Sequence, residues 1–120
     1  MGKQASTIWG KERMPIVEGT DKSFATEVEG ADSGTVLVYF WAPWCPPCKI
    51  LGPIINEINE EIGDKLTISK INVDDNPESA SKFNVMSIPT LLVFQNGQLK
   101  SKVVGLQPKE QLLGWLEEYL

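Results

Sequence analysis

Residues Thr35–Trp41 (TVLVYFW) combine β-branched and aromatic side chains, with apolar groups on both faces of an extended chain. A strand of that kind belongs in the middle of a sheet that is covered on both sides. Just beyond it the period changes. From Pro46 to about Ile62 the residues Ile50, Leu51, Ile54, Ile55, Ile58 and Ile62 recur as one stripe of a helix, Glu57, Glu60 and Glu61 face out, and Gly63 ends it. Pro53 lies inside this helix and is expected to kink it, because its ring removes a hydrogen bond and crowds the preceding turn. A doubly buried strand running straight into an amphipathic helix points to a layered α/β architecture.

The remaining segments fit around that unit. Ile16-Val17 reads as a short first strand, and Asp21 as the cap of a helix through Glu29 with Phe24 and Val28 on one face. Gly30 to Gly34 is a loop. Leu66–Val73 is a further strand, and Asn76-Pro77 supplies a cap and a first-turn proline for a short helix reaching Phe83. Thr90–Gln95 and Gln98–Val104 flank Asn96-Gly97, a strong two-residue hairpin signal. Pro108 opens a last helix that turns Leu112, Leu113, Leu116 and Leu120 inward and leaves Trp115 near the edge of the stripe. The order β-α-β-α-β-α-β-β-α predicts an α/β fold, a central mixed β-sheet flanked by helices on both faces.

The 120 residues suffice for one domain and one core. Residues 1–13 show no periodicity and read as a flexible extension, with Trp9 unexplained; the domain is expected over 14–120, from Met14. A net charge of −5 without a basic cluster argues against nucleic-acid binding. The longest apolar run, Val36 to Ala42, is far short of the ~20 residues a membrane span needs. The first residues lack the apolar centre of a secretory signal, so a cytoplasmic location is expected.

The chain has two cysteines and no histidine. A zinc site built from these types of ligand would need four, and haem attachment needs a histidine where Lys49 follows Cys48. A structural disulfide and a redox pair remain. Bridging Cys45 to Cys48 closes a very small loop, where the entropic gain is weakest, which favours redox use. Trp44-Cys45-Pro46-Pro47-Cys48 also lies where the strand gives way to the helix. Free N–H groups and the positive end of the helix dipole favour an anion there. Cys45 is therefore expected to be exposed, acidic and attacking, with Cys48 one turn further in, buried and resolving.

The stretch Phe40-Trp41-Ala42-Pro43-Trp44-Cys45-Pro46-Pro47-Cys48-Lys49 resembles the active-site segment of the thioredoxin family. Pro53, Lys70, Ser87-Ile88-Pro89-Thr90, Asn96-Gly97 and Val104-Gly105 match that family in order and spacing, so the resemblance covers Met14–Leu120. It implies the thioredoxin fold, a cis Pro89 beside the dithiol, Ile88 offering backbone groups to a substrate peptide, and Trp44 and Gly105 lining the groove. It further implies thiol–disulfide exchange on protein substrates and no metal or organic cofactor. A partner, a thioredoxin reductase, would recycle the disulfide, and a monomer is expected. A thiol oxidase or isomerase of an exported compartment stays open, as does a binding module that only keeps the fold.

Two positions depart from the family pattern. Pro46 stands where the common dipeptide begins with glycine, and neither Pro46 nor Pro47 has an N–H. The backbone donor left for the Cys45 sulfur is then mainly Cys48, and Cys45 is expected to be less acidic than in relatives with glycine there. Tyr39 stands where the family usually holds a buried aspartate thought to help move the resolving cysteine's proton. A phenol of ordinary pKa near ~10 is a poor base at neutral pH, so resolution would rely on water or another group. Tyr39 can equally be a volume-filling strand residue. Lys70 can tune the site or simply snorkel; Trp41 is expected in the core, Trp44 at the surface, and Asp74-Asp75 in a solvated loop.

Overall fold

The computed structural model describes residues 15–120, so the expected extension over 1–13, Trp9 and the start at Met14 lie outside the described residues. In chain order the elements are β1 (Val17–Glu18), α1 (Asp21–Glu27), β2 (Thr35–Trp41), α2 (Pro46–Ile62), β3 (Thr67–Asn72), α3 (Pro77–Lys82), β4 (Thr90–Gln95), β5 (Gln98–Val104) and α4 (Lys109–Glu117). The sheet runs β1-β3-β2-β4-β5. β1, β3 and β2 are parallel, while β4 is antiparallel to β2 and β5 to β4. The expected order and mixed sheet are both present.

β2 is central, and its alternation divides the core. Leu37 and Tyr39 face a cluster with Leu51, Ile55 and Ile58 of α2 and Leu112 and Leu116 of α4. Val36, Val38 and Phe40 face the opposite cluster with Phe24 of α1 and Ala80 of α3. On that side Phe24, Phe83 and Phe94 pack with ring centroids 5.2 to 5.8 Å apart. Such pairs add about 0.5–1.5 kcal/mol each beyond the area they bury.

The Asn96-Gly97 turn closes β4 onto β5 with both residues at positive φ. Gly97 is required twice over, since a Cβ there would also meet the Glu29 carbonyl oxygen at 2.4 Å. Asn96 adds a tie of its own, accepting from the Gly34 N–H at 2.9 Å through Oδ1.

Three local expectations are corrected. Thr20, not Asp21, caps α1, in a reciprocal pair with Ser23. Asp21 instead reaches across to α3 and accepts from Ser79 N at 2.8 Å, Glu78 N at 3.1 Å and Ser79 Oγ at 2.7 Å. Asn76 sits at the cap position of α3 but makes no cap bond with its side chain; its Oδ1 accepts from Asp21 N at 2.9 Å. The two residues have exchanged duties because the helices meet end to end. Lastly, Leu120 is exposed rather than inward, because α4 stops at Glu117 and the helical spacing no longer carries it to the core. Ile50 is likewise exposed, at the outer edge of the α2 stripe.

Candidate active site

The end of β2 leads through Ala42, Pro43 and Trp44 into α2, whose N-cap is Cys45 and whose first residues are Pro46 and Pro47. Proline suits these positions because the N–H it lacks would have no helical partner there. Cys45 and Cys48 form a disulfide with Cα atoms 5.2 Å apart. The Cys48 N–H donates to the Cys45 sulfur at 3.3 Å. This is the donor that the two prolines leave available.

Cys45 is not the exposed member of the pair. Both cysteines are 3% exposed in the disulfide form. What covers them is tertiary: Ala42, Trp41, Val73 and Ile88 pack around the two sulfurs. The Cys45 sulfur lies 3.8 Å from the Ile88 carbonyl oxygen. The Ile88–Pro89 peptide is cis, and Pro89 is buried. The Pro89 carbonyl accepts from the Gly105 N–H at 2.8 Å, with Gly105 itself at φ +92°.

On this side an apolar hollow of about 380 Å³ is lined by Trp44, Val73, Ala80, Val85, Met86 and Ile88, with Ser87. Trp44 is 64% exposed and Met86 89%. The Trp44 ring is held by its Nε1–H, which donates to both carboxylate oxygens of Asp74 at 3.1 and 3.0 Å. Neither Pro89 nor Gly105 lines this hollow; Pro89 follows Ile88 in the chain, and Gly105 is hydrogen-bonded to Pro89. The Asp74 contact was not legible in the sequence, where the residue reads as loop solvation; thirty positions separate the partners.

On the opposite side of the pair, the Tyr39 hydroxyl donates to the Cys48 carbonyl at 3.0 Å. Burial pushes the Tyr39 phenol up to about 12, so it is a neutral donor at physiological pH. Lys70, the register partner of Tyr39 on β3, places its ammonium 4.8 Å from the Trp41 ring centroid and 3.8 Å from the Glu18 carboxylate. Its side chain helps wall a cleft of about 270 Å³ together with Tyr39, Trp41 and Cys48. Trp41 is half-buried against the core rather than wholly inside it. The expected residues therefore gather on two flanks of one dithiol. Trp44, Ile88, Pro89 and Gly105 lie on one, with Tyr39 and Lys70 on the other.

A dithiol at a helix start, beside an open apolar hollow, is equipped to exchange disulfides with a peptide laid across it. The Thioredoxin family model matches residues 15–118. The chain is 50% identical over 107 residues to the thioredoxin of Bacillus subtilis (strain 168), which covers 89% of this chain and 100% of that protein. The thioredoxin of Staphylococcus aureus (strain N315) is similar to the same degree, 50% over 107 residues, with the same coverage of both chains.

Proposed function

The chain belongs to the thioredoxin family, and from that premise we propose that Cys45 is its attacking thiol and Cys48 its resolving one. The protein is a protein-disulfide reductase that works through this dithiol. The observation that carries the assignment is the position of Cys45 at the N-cap of α2, with the Cys48 N–H directed at its sulfur. A thiolate formed there is stabilised by that donor and by the helix dipole.

In the first step the Cys45 thiolate bonds to one sulfur of the substrate disulfide, and the other substrate sulfur leaves with the electron pair. Cys48 then bonds to the Cys45 sulfur, expels the second substrate sulfur and leaves the protein oxidised. Trp44, Ile88, Pro89 and Gly105 position the substrate, while Pro46, Pro47, Tyr39 and Lys70 tune the pair. The family implies disulfide-bearing substrates and a reductase that returns electrons to Cys45–Cys48. The finer reading is a cytoplasmic monomer recycled by a thioredoxin reductase, serving as an electron carrier. It is supported by the bacterial relatives and by the lack, among the described residues, of any helix long and apolar enough to cross a membrane.

Pro46 favours reduction over the oxidase alternative. Strong oxidants of this chemistry owe their potential to a reduced form stabilised by an acidic thiol. With prolines at 46 and 47, the Cys45 sulfur has one near backbone donor, and its thiolate gains less. Capture of substrate tests the order of attack. Cys48→Ser is expected to accumulate mixed disulfides through Cys45, and Cys45→Ser to accumulate none. Capture by Cys45→Ser alone would reverse the assignment, and a biological role that persists with Ser at both positions, where disulfide reduction is impossible, would leave a binding module.

A further inference from the structure

The cleft behind Cys48 has a composition at odds with the proton chemistry of the resolving step. Tyr39, Lys49 and Lys70 are the titratable side chains, other than Cys48 itself, that line it. Among the described residues no carboxylate does, and the whole sequence contains no histidine. Tyr39 spends its hydroxyl hydrogen on the Cys48 carbonyl, and burial keeps the phenol neutral. Lys70 is a cation that sits over Trp41 and pairs with Glu18, whose carboxylate lies at the rim in solvent. The cleft wall therefore offers the Cys48 proton neither a carboxylate nor an imidazole. The cleft's 270 Å³ far exceeds the about 15 Å³ of such space that one water needs.

We infer that the proton of the Cys48 thiol leaves through this cleft to a base carried by the solvent, so that small solutes act as general bases in the resolving step. This rests on the reading of Cys48 as the resolving thiol. The solute takes the S–H proton as the Cys48 sulfur bonds to the Cys45 sulfur. The bond between Cys45 and the substrate sulfur breaks, its electron pair leaves with the substrate thiolate, and water protonates that thiolate. The substrate disulfide has then gained the two electrons that the protein dithiol has lost.

Rapid mixing of the reduced protein with an aromatic disulfide that releases a coloured thiolate separates the two attacks. The first release reports Cys45 and the second reports Cys48. With imidazole varied at constant pH and ionic strength, the second phase is expected to rise linearly, by about threefold or more up to about 200 mM, while the first stays flat. Gly52 lines the cleft, and a Cβ added there meets no atom within 4 Å, so Gly52→Leu adds a side chain without a backbone clash. It is expected to flatten the imidazole dependence of the second phase and to keep the first. Tyr39→Asp, which places a carboxylate in the cleft wall, is expected to flatten it as well. A second phase indifferent to imidazole in the unaltered protein, or an undiminished slope in Gly52→Leu, overturns the inference. Two phases persisting in Cys45→Ser would overturn the order of attack on which it rests.

Discussion

The Tyr39 hydroxyl reaches from the buried middle of β2 into the first turn of α2 and donates to the Cys48 carbonyl at 3.0 Å. The side chain fills core volume between Leu37 and the α2 stripe, and it also ties the resolving cysteine's backbone to the sheet. Lys70 lies directly beside it on β3, so a cation and a neutral phenol share the wall behind the dithiol.

Tyr39 is expected to make the fold sensitive to alkali. The phenol ionises at about 12 in the native state and near its ordinary 10.0 when unfolded. Between those values the unfolded chain has lost a proton that the native chain keeps, so stability falls as pH rises, by about 1.4 kcal/mol per unit. Below about 10 the contribution is fully present. Urea midpoints taken through this range should fall less steeply in Tyr39→Phe than in the unaltered protein. Equal slopes would contradict the burial argument.

Tyr39→Asp is expected to alter the pH dependence of turnover, because a carboxylate can take the Cys48 proton where a phenol cannot. The comparison is of initial rates of substrate-disulfide reduction across the neutral range. An unchanged profile would remove this position from the proton path.

Pro46→Gly is expected to lower the Cys45 pKa. Glycine would restore an N–H in the first turn of α2, where Cys48 N now stands as the near donor to the sulfur at 3.3 Å. Following the ultraviolet absorbance of the thiolate against pH gives the value directly. A lower pKa in the unaltered protein than in the variant would refute the donor count.

Asp21→Ala is expected to cost about 0.5–2 kcal/mol, the range for loss of a helix cap. Burial alone would raise the Asp21 carboxyl, but hydrogen bonds from the Ser79 hydroxyl, Ser79 N and Glu78 N outweigh it and hold the group below its ordinary value. A depressed carboxylate stabilises above its unfolded pKa, and the gain is lost as pH falls through the native one. The gap between variant and unaltered protein in denaturant midpoint should therefore narrow in acid. A gap independent of pH would contradict this.

Much of this was legible in residue order. Strand β2, helix α2 and the Asn96-Gly97 hairpin announced themselves because burial on both faces, helical spacing and positive φ each leave a local mark. The cysteines and Pro89 could be located the same way once the segment around them was set beside its family. What was hidden depends on partners far away in the chain. Asp21 and Asn76 look like caps of their own helices, and only the meeting of α1 with α3 shows that Asp21 serves the other. Burial of Cys45 comes from Ile88, forty-three positions on, and restraint of Trp44 from Asp74. Glu57 and Glu61 do form the exposed face read from the sequence, and what stayed hidden is that both pair there with Lys109 of α4.

The reductase reading is tested most directly by equilibrating the Cys45–Cys48 pair against glutathione buffers and fitting its reduction potential. A potential of about −270 mV is expected of the reductase, whereas one between about −180 and −120 mV would place the protein among oxidases or isomerases.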